Sequence, residues 1–198
     1  AWEGQRLVPL RGKNLLAQSL PHLHERFPAL QSFAAAAVSD LLPPAAWRTA
    51  ARLEATTFES GVLLNNGQGR FDFRPLPRLA QSAPSFGIAV SDVDGDGQVD
   101  LCLAQNFSCS QPETGRMNGG LGLLLRGRGD GNFSPVWPKE SGLAIPADAR
   151  SLAVTDLNED GWPDLVMGIN DGEPLSLQNQ GARENQIRIF KFRSRSHP

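Results

Sequence analysis

Asp92-Val93-Asp94-Gly95-Asp96-Gly97-Gln98-Val99-Asp100 returns 64 residues later in related form as Asp156-Leu157-Asn158-Glu159-Asp160-Gly161-Trp162-Pro163-Asp164. Both stretches place oxygen-bearing side chains at positions 1, 3, 5 and 9, and glycine at position 6. Alternate side chains converge on one point only when the backbone wraps around it, and a cation then offsets the repulsion between the carboxylates. Glycine permits the sharp turn that a residue with a Cβ resists. The pattern predicts two loops that bind a hard divalent cation, with calcium favoured over magnesium.

Each loop offers five groups to the cation. Position 7 contributes its backbone carbonyl, so its side chain is free to differ between the copies. The first loop has one carboxylate more than the second, so we expect it to bind calcium more tightly. Glu159 occupies an even position and is expected to point to solvent. The predicted ligands are Asp92, Asp94, Asp96, Gln98 and Asp100 in the first loop, and Asp156, Asn158, Asp160, Trp162 and Asp164 in the second.

The residues around the loops argue against an EF-hand. That motif needs a glutamate at position 12, where these loops have Leu103 and Met167. Short apolar runs with branched residues precede and follow both loops, which is typical of β-strands. Each loop is therefore predicted to be a turn between two strands. Acidic turns that bind no ion are the alternative, which the second copy disfavours.

A glycine-rich turn also occurs twice, in residues 63–71 and 125–133, and a weaker third copy starts at Pro174. Each copy consists of a strand, a glycine turn and, in the first two, a phenylalanine that begins the next strand. One unit then contains strand, glycine turn, strand, connection, strand, acidic turn and strand. Four strands per unit are typical of a propeller blade. The spacing of roughly 60 residues exceeds the usual blade length of about 40 to 50, because residues 106–120 form an insertion without a strand pattern.

These units predict a mainly β fold: a partial β-propeller-like array of four-stranded blades with a short helical insertion near the N-terminus. A complete propeller usually needs about 4 to 8 blades, so we expect further blades, in a longer chain, to cover the open edges. The predicted divisions are residues 1–60 for N-terminal strands and the helical insertion, 61–122 for the first blade with its insertion at 106–120, 123–173 for the second blade, and 174–198 for the start of a third blade or a terminal strand.

The first 60 residues differ in character from the rest. Residues 2–10 and 14–17 are expected to supply a strand or two. The alanines within residues 28–42 favour a helix. Pro43 ends this helix, and Pro44 is suited to the first turn of a second helix that runs to Leu53.

The two acidic loops with their strand flanks resemble FG-GAP/VCBS repeats, the calcium-binding blades also found in integrin α-chain propellers. Four further strings make the chain similar to the large bacterial VCBS-repeat proteins related to the ASPIC/UnbV group, which is typically exported. The resemblance covers about residues 55–181. It implies a propeller, bound calcium and an extracytoplasmic setting, whether secreted, periplasmic or at the cell surface, and it implies no activity. The four strings are residues 63–71, 75–77, 113–117 and 139–142.

Composition and the missing catalytic groups argue against several classes of function. A net charge of −2 argues against a nucleic-acid binder, and without a run of about 20 apolar residues no membrane span is expected. No acid, base or nucleophile constellation occurs outside the loops, so the chain is not expected to be an enzyme. The predicted function is a calcium-stabilised binding or adhesion scaffold with a protein or glycan partner. Part of a propeller enzyme acting on polysaccharide, and a purely structural segment of a large surface protein, are the alternatives.

The insertion carries the remaining polar candidates, Asn106, Glu113 and Arg116. Loops that project from a β scaffold often collect binding residues. These three side chains either contact a ligand or hydrogen-bond the insertion to its own blade. The sequence leaves both interpretations open.

Two cysteines lie seven residues apart, Cys102 in a predicted strand and Cys109 in the insertion. An exported protein allows a disulfide between them, and two free thiols are the alternative. Alternation along the strand places Cys102 on the opposite face from Leu101 and Leu103.

Overall fold

A computed structural model describes residues 2–51, 53–110, 114–181 and 187–191, the last stretch by its backbone alone. The chain divides into two compact units, Ala1–Thr56 and Thr57–Pro198. The described residues are mainly β, as the sequence predicts, and contain four small antiparallel sheets, of which those in the second unit form a partial propeller-like array. Glu113 lies outside the described residues.

The first unit is built from short helices around a small apolar core. Phe27 and Phe33 pack edge to face, with ring centroids 5.7 Å apart. Among the described residues, no helix has the length and apolar character needed to cross a membrane. The elements are β1 (Trp2–Glu3), β2 (Arg6–Leu7), α1 (Lys13–Ser19), α2 (Leu23–Arg26), α3 (Leu30–Ala34), a 3₁₀ turn (Val38–Asp40) and α4 (Pro44–Thr49).

Two expectations for this unit are wrong. Residues 14–17 lie in α1 rather than in a strand, since Leu and Ala there favour helix. The predicted helix over residues 28–42 is broken into α3 and the 3₁₀ turn, because the chain turns after α3 and buries Ala36 and Leu41 in the same core as Phe33. Tertiary burial here overrides alanine propensity. Pro44 does open a helix, as predicted, but α4 ends at Thr49, before the predicted end at Leu53.

The second unit contains one two-stranded sheet and two four-stranded sheets. In both four-stranded sheets, consecutive strands are hydrogen-bonded neighbours. A 3₁₀ turn (Arg78–Gln81) and α5 (Pro138–Ser141) lie between strands. The strands are β3 (Gly61–Asn65), β4 (Phe71–Pro75), β5 (Ser85–Ser91), β6 (Asp100–Gln105), β7 (Leu123–Gly127), β8 (Phe133–Val136), β9 (Ala149–Thr155), β10 (Asp164–Ile169), β11 (Leu175–Asn179) and β12 (Ile187–Lys191).

Strand pairing groups the strands differently from the predicted units. Each acidic loop joins the first and second strands of a four-stranded sheet, and the glycine turn after β7 joins the third and fourth. Thus β7 and β8, which the sequence assigned to the second blade, belong to the sheet of β5 and β6. A periodic pattern does not mark where one sheet ends, and only hydrogen bonding decides it. The β3–β4 hairpin then corresponds to the outer half of a preceding blade.

The principal core lies between the two four-stranded sheets. Their first strands, β5 and β9, run against each other. A Cβ at Gly87 would lie 2.7 Å from the backbone nitrogen of Leu152, so glycine permits this close approach. The core residues are Ala89, Val93, Cys102, Ala104, Leu124, Val136, Leu143, Ile145, Ala149, Leu165, Met167 and Leu177.

The opposite face of the first four-stranded sheet carries a second cluster. Leu101 and Leu103 face the β3–β4 hairpin and the turn at Arg78–Gln81, whereas Cys102 faces the principal core. The predicted alternation along β6 is therefore confirmed. The hairpin does not cover β5: Ile88 pairs with Leu103 but is 57% exposed.

Candidate metal centre

The first acidic loop brings three of its four carboxylates together. Asp92, Asp94 and Asp100 each offer an oxygen within 4.8 Å of the other two. Asp92 and Asp94 are half-buried, and Asp100 is buried. Asp96, the fourth predicted carboxylate, lies outside this cluster and is exposed. Three converging carboxylates at this spacing repel one another, and a divalent cation relieves that repulsion.

The backbone wraps around the carboxylate at position 1. Asp92 Oδ1 accepts hydrogen bonds from the amides of Gly95 and Asp96 at 2.8 and 3.1 Å, and Oδ2 accepts one from Gly97 at 2.9 Å. Asp96 Oδ1 accepts the amide of Gln98 at 2.7 Å. Aspartate favours such turns because its side chain bonds to amides a few residues ahead. These bonds shape the loop through the chain itself.

Asp100 ties the loop to the sheet. It is the first residue of β6 and only 2% exposed. Its Oδ2 accepts the amide of Val93 at 3.0 Å, and its Oδ1 accepts the amide of Gly127, the last residue of β7, at 2.8 Å. Burial raises the pKa of Asp100 above its ordinary value, whereas these two hydrogen bonds lower it. Each carboxylate oxygen keeps a second lone pair for a cation, and a bound cation favours the ionised form.

The second loop repeats most of these hydrogen bonds at the same positions, although the bond from the position-4 amide of the first loop has no counterpart. Position 1 accepts the amides of positions 5 and 6, and position 5 accepts the amide of position 7. Position 9, Asp164, accepts the amides of Leu157 and Asn179 at 2.9 and 2.7 Å. Asn179 ends β11 as Gly127 ends β7. The two loops are structural copies.

The second loop differs in how its side chains converge. Asn158 Nδ2 donates to Asp160 Oδ2 at 2.8 Å. Among the described residues, the three-carboxylate cluster forms in the first loop and not in this one. Glu159 is exposed, as predicted.

Two side chains join the loops, and sequence reasoning missed both. The ring of Trp162 lies over Gly95 of the first loop, where a Cβ would come within 3.0 Å of it. Asn179 Nδ2 donates to the carbonyl of Val93 at 2.8 Å. The loop pattern predicts a side chain without a fixed role at position 7, whereas the ring of Trp162 packs against the first loop. The weak third copy of the glycine turn is the sequence signal that could have identified Asn179, because it aligns Asn179 with Gly127.

Arg126 was also missed. Its Nε lies 2.6 Å from Asp94 Oδ2, and the two side chains are 39% and 16% exposed. The arginine lies on β7, between the core residue Leu125 and Gly127. A guanidinium therefore contacts a predicted cation ligand.

In the insertion, Asn106 bonds to the surrounding backbone. It is 1% exposed, and its Nδ2 donates to the carbonyls of Gly120 and Ala147, both at 2.9 Å. Its Oδ1 accepts the amide of Gly120 at 2.8 Å. Asn106 thus ties the two ends of the insertion together and to the segment before β9. Arg116 is exposed.

An arginine that contacts two neighbouring aromatic rings anchors the insertion further. The guanidinium carbon of Arg150 lies 4.2 Å from the ring centroid of Phe86 and 4.7 Å from that of Phe107. Arg150 Nε lies 2.7 Å from Asp148 Oδ1. Asp148 Oδ2 accepts the amide of Ser108 at 3.1 Å. The sequence carried no local signal for this cluster because its members come from three separate segments.

Both cysteines are free thiols, so the disulfide alternative is not realised. Cys102 faces the core between the sheets, whereas Cys109 is exposed in the insertion. Burial raises the pKa of Cys102 to about 12. The thiol of Cys102 is therefore protonated at neutral pH.

The fold and the loops define a repeat scaffold whose acidic turns lie at sheet ends. Residues 114–167 match the family model described as the FG-GAP-like repeat. The match covers β7 to β9 and the second acidic loop and ends within β10, so it contains the same four strands as the second predicted unit and spans both four-stranded sheets. The curated proteins and the solved structures contain no match to the chain.

Proposed function

We propose that this chain is a calcium-binding segment of a β-propeller that serves as a binding or adhesion scaffold outside the cytoplasm, rather than as an enzyme. The observation that carries the proposal is the convergence of Asp92, Asp94 and Asp100 within 4.8 Å at one loop of a repeated unit. The match of residues 114–167 to an FG-GAP-like repeat supports it. The resemblance to exported VCBS-repeat proteins supports the extracytoplasmic setting.

The donor set fits calcium. Carboxylate, amide and carbonyl oxygens are hard ligands, and the flexible geometry of calcium tolerates a loop of unequal ligands better than the strict octahedron of magnesium does. In the first loop Asp92, Asp94 and Asp100 would hold the ion, with Asp96 and the carbonyl of Gln98 as further ligands. In the second loop the ligands would be Asp156, Asn158, Asp160, the carbonyl of Trp162, and Asp164.

The ions in this proposal are structural. Each loop joins two strands, and its position-9 aspartate bonds to a third strand, so an ion there ties three strands together. At millimolar calcium and a dissociation constant of about 10 µM, each site would add about 2.7 kcal/mol to stability. This is a large share of a typical total of roughly 5–15 kcal/mol.

Calcium titration and thermal unfolding test the proposal. Calcium is expected to raise the Tm of the chain and EDTA to lower it, with a smaller effect of magnesium. Asp92→Asn and Asp156→Asn each remove the negative charge of one position-1 ligand, so each variant should lose part of the calcium-induced increase. Asp72→Asn is the matched control, since Asp72 is an exposed carboxylate on β4 and belongs to neither loop. Equal Tm values in calcium and EDTA, without measurable calcium binding, would overturn the proposal.

An uncovered apolar surface on the first four-stranded sheet supports the proposal that further blades pack against it. Val90 and Ile88 are 61% and 57% exposed, although they share a face with the buried Leu101 and Leu103. Among the described strands, β3 pairs with β4 alone. Its counterparts β7 and β11 also pair with inner strands that begin at a buried aspartate. We expect another part of a longer protein to supply the corresponding inner hairpin.

A further inference from the structure

The contact between Arg126 and Asp94 has no counterpart of equal charge in the second sheet. The pairing of β6 with β7 sets Leu101 opposite Leu125, and one residue further this register sets Arg126 opposite Asp100. In the second sheet Leu165 pairs with Leu177, so Gln178 lies opposite Asp164. The same place beside the buried aspartate thus holds a guanidinium in one blade and a neutral amide in the other.

We infer that Arg126 is a built-in competitor of the cation at the first loop. The inference rests on the proposed function. Arg126 Nε lies 2.6 Å from Asp94 Oδ2, so the guanidinium occupies one of the two carboxylate oxygens of a predicted ligand. A divalent ion on the same carboxylate would lie a few ångströms from the positive charge, and like charges at that distance repel strongly near a protein surface.

Arg126 also accounts for how three carboxylates stay together. The acidic oxygens of the first loop converge within 4.8 Å, an arrangement that their mutual repulsion opposes. The guanidinium offsets part of that repulsion and holds Asp94 in place. The carboxylates of the first loop are therefore already arranged for an ion. Their arrangement depends less on a bound ion than that of the second loop, where the corresponding residue is the neutral Gln178.

This competitor changes the expected order of affinity. Counting carboxylates alone predicts that the first loop binds calcium more tightly than the second. With Arg126 included, the first loop has the same net charge as the second, whose charged ligands are Asp156, Asp160 and Asp164. The advantage of the first loop should appear fully only when Arg126 is removed.

The test compares calcium affinity in three proteins: the unchanged chain, Arg126→Gln and Arg128→Gln. Arg126→Gln copies the residue found at position 178. Arg128→Gln removes the same charge two residues away, where the guanidinium donates to Ser134 Oγ at 2.8 Å, and serves as the matched control. Each protein is titrated with calcium chloride by isothermal calorimetry in an Asp156→Asn background, so that the first loop dominates the signal. Thermal unfolding in EDTA is measured alongside.

Arg126→Gln is expected to tighten calcium binding at the first loop about ten-fold, the effect of one nearby charge at a partly exposed site. Its Tm in EDTA should fall, so the calcium-induced increase in Tm becomes larger. Arg128→Gln should leave the affinity within about two-fold of the unchanged chain. Gln178→Arg, in an Asp92→Asn background, should weaken calcium binding at the second loop.

Arg126→Lys distinguishes charge from shape and keeps the test sharp if the glutamine variant folds poorly. Lysine keeps the positive charge but lacks the planar fork of arginine, so its calcium affinity should stay close to that of the unchanged chain. An affinity of Arg126→Gln equal to or weaker than that of the unchanged chain overturns the inference and leaves the proposed function standing. So does a lysine variant that binds as tightly as the glutamine variant. Absence of calcium binding in all of these proteins overturns the proposed function itself.

Discussion

Left-handed backbone occurs at two positions of each acidic loop. Position 6 has φ of 82° at Gly97 and 86° at Gly161, and position 4 has φ of 75° at Gly95 and 60° at Glu159. A residue with a Cβ pays a conformational cost there, so Glu159 is strained where the first loop has glycine. The sequence pattern identified the left-handed turn at position 6. It did not identify the one at position 4, because glycine occurs there in the first loop only and the second loop has glutamate.

Gly161→Ala is expected to cost about 1–2 kcal/mol of unfolding free energy. A Cβ at this position meets nothing within 4 Å, so the cost arises from backbone strain and not from a clash. Asparagine tolerates the left-handed region better, and Gly161→Asn should lie between the other two. Urea denaturation in EDTA measures this order without a contribution from bound ions. An alanine variant as stable as the unchanged chain would contradict the assignment of strain.

The two buried aspartates show how a residue that is predicted to be a ligand also stabilises the fold. Asp100 and Asp164 are 2% and 0% exposed, and both oxygens of each accept backbone amides. A buried amide without an acceptor costs free energy. These two residues therefore stabilise the sheet corners whether or not an ion is bound.

At the scale of elements, the insertion is fastened to the sheets at both of its ends. Asn106 bonds to Gly120 at the base, and Asp148 accepts the amide of Ser108 further along. Arg150, stacked on two phenylalanines, orients Asp148. The insertion is therefore attached to the segment that leads into β9 as well as to its own sheet, and its side chain Arg116 is exposed.

The Asp148 cluster predicts a dependence of stability on pH. Burial raises the pKa of Asp148, but hydrogen bonds from Arg150, Ser108 and Asn170 outweigh it, and the pKa lies below its ordinary value. Because the folded pKa is depressed, ionised Asp148 stabilises the fold above the unfolded pKa of about 3.9. That contribution is lost as the pH falls through the folded pKa.

Asp148→Asn should therefore be less stable than the unchanged chain at pH 7 by about 1–3 kcal/mol. The difference should shrink below about pH 4, where the unchanged chain loses its own ionised carboxylate. Urea denaturation from pH 7 to acid measures both effects, and Asp72→Asn, at an exposed site, is the control. A difference that stays constant over the whole pH range would exclude this role of Asp148.

For the β unit as a whole, burial depends on which blade neighbours are present. Ile88 and Leu103 are directly paired on one face of the first four-stranded sheet, yet they are 57% and 1% exposed. The β3–β4 hairpin covers the second and third strands of that sheet and leaves the first strand uncovered. The exposed face of β5 is the surface on which the inner strands of another blade would pack.

Leu103→Ala should cost about 2–5 kcal/mol in this chain, as expected for a buried leucine. Ile88→Ala should cost less than about 1 kcal/mol, because most of its side chain is already in water. Urea denaturation of the two variants gives the comparison. Similar costs for both would mean that the face over β5 is covered in solution.

Local chemistry made much of the fold and of the site predictable. Acidic turns between strands, glycine at the position-6 turn and the alternation of Leu101, Cys102 and Leu103 depend only on residues within a few positions of one another. Side chains alternate along any strand, and turns are set by the residues inside them. The sequence by itself therefore determined the mainly β fold, the strands on either side of both loops and the convergence of the acidic residues of the first loop.

Only the tertiary structure decided how these parts combine. The ion pair of Arg126 with Asp94 and the bond from Asn179 to Val93 join residues that are 32 and 86 positions apart. The division of strands into sheets likewise depends on hydrogen bonds. The repeating pattern can be divided into four-stranded units in two ways, and it does not say which division the sheets follow. Such contacts follow from the meeting of distant surfaces, and no local spacing specifies them. For the same reason, the acidic residues of the first loop could be identified from the sequence, whereas the arginine beside them could not.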